Sequence, residues 1–441
     1  MKTKAIFPEF VKYTSANVLS MIGLSCYILA DTYFISRELG ANGLAALNLA
    51  IPIYSFVYGA GLMIGIGGAT KYAILKSQAQ QREANRVYTN TFMLALIFSA
   101  AFFVSGLFFS APLARLFGAY GVVFEMTSTY LRIIMLAAPL FLLGALMTSF
   151  VRNDGAPATA MASVVSASLS NIVFDYILIV RLQLGMFGAG LATVLAAAVG
   201  LLVIVVYFLK KRNSFNLIKC TISGKLSISI FSIGLPTLIS EISVGIVIIV
   251  FNLIILGLQG SIGVAAYGVI ANISIVIIAI FNGLAQGMQP LISRYHGVGE
   301  SKNIKTILRY GLLSMAIMSV AFYSFAYFGA STIASIFNSG NDPMLQSLAI
   351  SGIRIFFAGI IFAGFNIIIS TYFTSIENPR PAQIFSVLRG FLLIVPIAIL
   401  LSAIWDMTGV WLAVPVTELF VTLIIIATLA KSVGKRVMRQ G

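Results

Sequence analysis

Residues 210–225 read KKRNSFNLIKCTISGK, the longest basic loop in a chain of 441 residues, and they fall almost at its midpoint. Outward from them in both directions the sequence turns apolar: 59% of the residues are hydrophobic and only 9% are charged. Soluble domains carry roughly a quarter charged residues, so the composition is that of an integral membrane protein. Crossing a bilayer as a helix takes about 20 mostly apolar residues. Runs of that kind are placed at 10–35, 44–70, 87–110, 126–149, 157–180 and 187–209 before the loop. Six more follow it, at 227–256, 262–293, 310–329, 345–375, 382–403 and 408–430. The expectation is an all-α protein of twelve transmembrane helices, with an N-terminal lobe at 1–209, a linker at 210–225 and a C-terminal lobe at 226–441.

The two halves match each other weakly at an offset of about 220 residues. LGANGLAALN at 39–48 pairs with QGSIGVAAYG at 259–268, Arg132-Ile133 with Arg354-Ile355, RNDGAPATA at 152–160 with ENPRPAQI at 377–384, and MFGAGLA at 186–192 with MTGVWLA at 407–413. Four matches in the same order point to duplication. With an even span count in each half, the lobes share one orientation and are related by an axis along the membrane normal, the arrangement that brackets a central cavity in transporters.

A net charge of +15 raises nucleic acid as a partner, but the cations are sorted by loop. Of 28 Lys and Arg, 22 lie in the tails, in alternate loops or at their edges, whereas the opposite loops hold Arg37, Arg115 and Arg181. That is the positive-inside pattern, which predicts both termini in the cytoplasm of a multi-pass cell (inner) membrane protein and removes nucleic acid as the explanation. The N-terminus lacks a signal peptide's cleavage pattern, so the first apolar run is expected to stay as a span. Cys26 and Cys220 are too far apart in topology to pair, and no zinc spacing exists. His296, the single histidine, stands in a basic loop without partner ligands. Loops this short leave little room for catalysis, so no enzyme and no cofactor is expected.

An ionised carboxylate near the bilayer centre costs roughly 2.5–3.5 kcal/mol on insertion scales, so each one in a span calls for an account. Asp31, Asp175, Glu241 and Glu418 are in or near spans. In NIVFDYILI at 171–179, Asn171 and Asp175 are spaced i, i+4 and share a helix face. Asp31 and Thr193 enter at a comparable depth. Together the four supply oxygen ligands for a cation, H+ or Na+; the structural alternative is a packing role for Asp175 and a headgroup contact for Asp31. Glu241, with Gln286 and Gln289, forms a candidate second site for cation or substrate in the C-lobe, the alternative being internal pairing and helix bridging. Arg132 and Arg354 are expected to reach headgroups or carbonyls. Gly61-xxx-Gly65 predicts a close helix crossing rather than a nucleotide loop.

RNDGAPATAMASVVSASLSNIVFDYILI, followed by GMFGAGLATVLA, and TGVWLAVPVTE near the C-terminus resemble the multidrug and toxic compound extrusion (MATE) transporters. The resemblance extends over all twelve spans and is most specific in spans four to six and twelve. It implies a V-shaped bundle of two six-helix lobes that expels organic, cationic or amphipathic compounds in exchange for H+ or Na+. It also implies a cation site at Asp31, Asn171, Asp175 and Thr193. Two departures stand out: span one, KYTSANVLSMIG, lacks the family's early proline, Pro8 being nearest, and span ten lacks the aspartate of some members. The function expected is a monomeric cation-coupled antiporter for small organic molecules. A flippase for a lipid-linked or amphipathic metabolite is the alternative within the superfamily; a membrane enzyme or receptor lacks its motifs.

Overall fold

In the computed structural model of the chain, which describes residues 6–338 and 342–437, every regular element is helical. Lys2, Lys4 and Arg439, counted among the tail cations, lie outside these residues. Eight helices are long and apolar enough to cross a membrane, and the bent pair Gly121–Leu136 and Ala138–Asn153 adds one crossing. Three of the eight are too long for one passage: the 72 residues of Ile6–Ser77 run to roughly 108 Å at 1.5 Å per residue, against about 30 Å of hydrocarbon. Each of the three is broken once, Ile6–Ser77 at Gly40, Gly224–Gly297 at Gly260, and the stretch Pro379–Ala430 at Trp405 and Asp406. Twelve spans result, six on each side of a non-helical linker.

The duplication is written in the backbone. Gly40 and Gly260 both sit at φ 61°, ψ −152°, where any Cβ is strained, and each turns the chain between the first two spans of its lobe. Further left-handed positions also pair: Ala79 with Gly299, Gly155 with Glu377, Gly185 with Asp406. One of these pairs corrects the sequence register. Pro157 opens its helix two residues after Gly155, and Pro379 opens its own two residues after Glu377, whereas the motif match of 152–160 with 377–384 had suggested Pro381 as the counterpart of Pro157.

Other local features carry no compositional signal. Span four, read from sequence as one run at 126–149, bends by 50° at Ala137, where Pro139 cannot donate to the turn before it. Span five ends in a π-helical turn, Tyr176–Arg181, and span eleven contains another, Leu388–Leu392. Span one keeps helical φ/ψ from residue 6 to the Gly40 break.

Small residues let helices touch. A Cβ on Gly61 would lie 3.0 Å from Leu142 Cα and one on Gly65 2.9 Å from Leu146 Cα, so span two meets span four backbone to backbone. The lobes cross in the same way. A Cβ on Gly287 would come 2.6 Å from Thr14 Cα, and one on Gly283 2.8 Å from Val18 Cα, which fixes span eight on span one. Gly67 and Gly234 do this for spans two and seven, each against a carbonyl of the other helix's turn.

Among the described residues, the side-chain hydrogen bonds between the lobes all lie toward the face that carries the linker, called here the basic face. Arg294 donates to both oxygens of Glu9 at 2.6 and 2.7 Å, and Lys71 Nζ to Glu377 at 2.8 Å. The linker itself is bound to the N-lobe. Asp154 accepts from Lys76, from Tyr72 and from the Ser214 backbone, while Phe215 is buried among Tyr72, Tyr88 and Phe150.

Candidate functional site

Asp31 stands nine residues before Gly40, Asp175 six before Arg181 and Thr193 eight after Gly185. At 1.5 Å per residue, all three lie about 9–14 Å from the face opposite the linker. Spans one, five and six bring them together with Asn171 inside the N-lobe. All four are buried, Asp175 at 0% and Asn171 at 1% exposure. The carboxylates of Asp31 and Asp175 are close enough to interact electrostatically. Tyr130, from span four, lies within reach of both and against Thr193. It was not singled out in the sequence, where it is one of 17 tyrosines.

The site's polar atoms are largely unmatched. Asp31 Oδ1, both oxygens of Asp175 and both polar atoms of Asn171 have no hydrogen-bond partner among the described residues. Thr193 Oγ1 donates to the Ala189 carbonyl at 3.1 Å and stands beside the Tyr130 hydroxyl. An unsatisfied buried polar group costs roughly 1–3 kcal/mol, so five such atoms in one place do not make a packing solution. Carboxylate, amide and hydroxyl oxygens are the donor set of a hard cation, and a shared proton would also relieve two facing carboxylates. The π turn that follows Asp175 interrupts the ordinary helical ladder at this point, as π turns often do beside functional groups.

A second polar region lines a cavity of about 280 Å³ built chiefly from spans seven, eight, ten, eleven and twelve, with Ile66 and Arg152 contributed by the N-lobe. Glu241, Gln286 and Gln289 all reach it. Glu241 packs on span two, where a Cβ at Gly59 would lie 3.1 Å from its own, and its carboxylate has no hydrogen-bond partner among the described residues. The glutamines also bridge the lobes: Gln286 Oε1 accepts from Arg152 Nη1 at 2.8 Å, and Gln289 Nε2 donates to Thr70 Oγ1 at 2.9 Å and exchanges contacts with Asn153.

Two features differ from the sequence reading. Arg152, counted there with the basic loops, is 5% exposed and faces the cavity, because the helix Ala138–Asn153 carries it inward before the chain turns. Glu418, which the sequence reading assigned to neither candidate site, is the hub of a buried network. Its Oε1 accepts from Arg389 Nε and Nη2 at 3.1 and 2.7 Å, and its Oε2 from Asn366 Nδ2 at 2.7 Å. Arg354 behaves as expected, donating to the Tyr327 carbonyl at 3.4 Å, and Arg132 is exposed.

Twelve spans in two pseudo-symmetric lobes define a multi-pass membrane transporter fold. The MatE family model matches residues 17–177 and 236–400, one block in each lobe. The chain belongs to this family, the MATE transporters. It is 24% identical over 408 residues to the multidrug export protein MepA of Staphylococcus saprophyticus, covering 92% of this chain and 89% of that protein. The Staphylococcus aureus MepA matches over 407 residues with the same identity and coverage. Among solved structures, a multidrug resistance MATE family transporter in an outward-facing conformation superposes with a TM-score of 0.90 at 22% identity, covering 97% of this chain and 96% of that one. A MOP superfamily transporter from Pyrococcus furiosus gives 0.87 at 23% identity, with 94% and 93% covered.

Proposed function

We propose that the protein is a cation-coupled multidrug antiporter of the cell membrane, acting as a monomer with its basic face toward the cytoplasm. Entry of H+ or Na+ at Asp31, Asn171, Asp175 and Thr193 drives export of small organic compounds, cationic or amphipathic, through the cavity between the lobes. The observation that carries this reading is the set of five buried, unpartnered polar atoms on Asp31, Asn171 and Asp175.

The bound cation is transported, not resident. With it absent, two facing carboxylates repel; with it present, spans one, five and six are drawn onto it, and the two states favour different packings of the N-lobe. A ligand shifts such an equilibrium only by its differential affinity for the two shapes. For a substrate without net charge, one ion's charge moving through 100 mV releases about 2.3 kcal/mol, enough for roughly a forty-fold substrate gradient; for a monovalent cation exchanged one for one, the ion's concentration gradient supplies the drive. Inter-lobe contacts gathered at the basic face correspond to a state closed toward the cytoplasm. The cavity lining holds two arginines, Arg152 and Arg389, and two glutamates, Glu241 and Glu418, so it carries no excess of positive charge to recommend the flippase alternative.

The experiment is dye accumulation in inverted vesicles, whose outer surface is the cytoplasmic face so that efflux activity reads as uptake, under an imposed proton or sodium gradient, each collapsed in turn. Loss of efflux with one of the two gradients is the expected result. Efflux that survives collapse of both overturns the reading.

A further inference from the structure

Span three, Gln81–Phe108, and span nine, Ser301–Phe337, begin in register, each two residues after one of the paired left-handed positions Ala79 and Gly299. In the N-lobe the linker covers one face of span three. Gln81 Nε2 donates to the Ser214 carbonyl at 2.8 Å, Asn85 Oδ1 accepts from the Asn216 backbone at 3.2 Å, and Thr89 Oγ1 from that of Ile218 at 3.0 Å. Residues spaced i, i+4, i+8 share a helix side, and here that side is neutral and hydrogen-bonded to the linker. Its counterparts on span nine are Ser301, Lys305 and Arg309, with Lys302 beside them. All four are exposed. Among the described residues none of the three cations forms an ion pair, and Glu300, the acid nearest in sequence, accepts from Asn303 instead. Residues 431–441 follow span twelve as the linker follows span six, but they bring Lys431, Lys435, Arg436 and Arg439 and no acid. Such a segment cannot offset the charge.

The same face continues into the bilayer. Lys302, Lys305 and Arg309 are followed at helical spacing by Leu313, Ile317 and Val320, each more than half exposed. Its two flanks are occupied: Tyr310 packs on Phe7 and Phe10 of span one at ring distances of 5.4 and 5.6 Å, and Leu308 and Leu312 turn to the apolar cluster around Phe373. The apolar run of span nine begins at 310, so Arg309 borders the hydrocarbon, at the level of lipid phosphates. Three cations above three lipid-facing aliphatic side chains are complementary to an anionic head on apolar chains; a neutral lipid leaves the charges without a partner. We propose that this face of span nine binds an anionic phospholipid of the leaflet at the basic face, its phosphate held by Lys302, Lys305 and Arg309 and its chains laid along Leu313, Ile317 and Val320. The lipid takes the place that the linker holds in the other lobe. The site lies outside both the cation site and the cavity, so it is independent of the efflux reading.

Native mass spectrometry of the full chain, released from vesicles of phosphatidylglycerol and phosphatidylcholine in equal parts, counts the lipid that stays bound. Wild-type protein is expected to retain phosphatidylglycerol in preference. Lys302→Gln, Lys305→Gln and Arg309→Gln should each weaken that retention about fivefold, and the three together roughly hundredfold, the scale of one surface cation apiece. Lys302→Arg with Lys305→Arg should preserve it. The control removes as many charges from the same side of the molecule: Lys210→Gln, Lys211→Gln and Arg212→Gln, all exposed in the linker, should leave retention nearly unchanged. All of these positions are on the surface, so the variants are expected to fold. Equal loss from the linker triple reduces the effect to the general attraction of a basic surface and overturns the proposal. So does equal retention of phosphatidylcholine, or displacement of the lipid by inorganic phosphate at matched ionic strength. A second copy of the chain held at this face would show as a dimer lost in the span-nine triple with lipid retention intact, and that result refutes it too.

Discussion

The two lobes agree in backbone and differ in what they bury. In the register set by Gly40 and Gly260, Asp31 corresponds to Phe251, which is fully buried and stacks on Tyr267 at 5.4 Å, with Trp411 next in the stack. Thr193 corresponds to Val414, and Asn171 and Asp175 fall against the apolar run 393–400. Where the N-lobe has Tyr130 and Gly190, the C-lobe has Gly352 and Trp411, with the Trp411 ring filling the space at the glycine. The polar cluster of the C-lobe lies elsewhere, and two of its members, Glu418 and Asn366, answer to Ala197 and Gly144 in the N-lobe. One ancestral frame thus holds a polar site left unsatisfied on one side and a dry aromatic core with an internally satisfied ion pair on the other. An unsatisfied buried site destabilises the fold unless something binds there; a satisfied one holds its place.

That contrast can be broken in order of expected effect. Asp31→Asn and Asp175→Asn should each reduce gradient-driven dye efflux to the vesicle background, whereas Glu241→Gln should change KM and leave the dependence on the gradient intact. Efflux assays on equal amounts of membrane-inserted protein decide this, and wild-type efflux from both aspartate variants removes the coupling role. Stability should move the opposite way. Glu418→Gln or Arg389→Met breaks a buried ion pair and should cost about 3–5 kcal/mol, while Asp175→Asn should leave the melting temperature unchanged or raise it. Thermal unfolding in detergent reads both, and an equal drop in both lobes erases the distinction.

The inter-lobe crossings make a smaller and symmetric prediction. Gly234→Ala and Gly287→Ala each push a methyl into the opposite backbone and should cost about 1–3 kcal/mol, biasing the lobes apart at the basic face. Thiol labelling of a cysteine placed between those helices should speed up in both variants; acceleration in only one would show that one crossing holds the closed state. Least affected is Glu9→Gln. Its partner Arg294 is partly exposed, so about 1 kcal/mol or less is expected from the lost pair, shrinking further in high salt.

Twelve spans and their duplication were legible because they depend on hydropathy and on repeated motifs, both local properties; of the candidate cation site, spacing showed only that Asn171 and Asp175 share a helix face, and Asp31 and Thr193 were added by depth and by resemblance. What escaped depends on how helices rotate against one another. Glu418 and Arg389 are 29 residues apart, and nothing in either span states that their faces meet. Arg152 was hidden by its neighbours: a polar RNDG reads as a loop although the arginine still belongs to the helix and points inward. Tyr130 had no mark distinguishing it from tyrosines that face lipid. Span four's bend could have been read from Pro139, but the π turns at 176–181 and 388–392 follow from no residue type.

The account turns on the ion entering at the N-lobe carboxylates as the substrate leaves. Proteoliposomes carrying wild-type protein and Asp175→Asn side by side, with ion influx and dye efflux recorded together, test that directly. Wild-type traces should show ion uptake that starts and stops with dye exit, and the variant neither flux. Dye leaving the wild-type vesicles with no accompanying ion movement would contradict it.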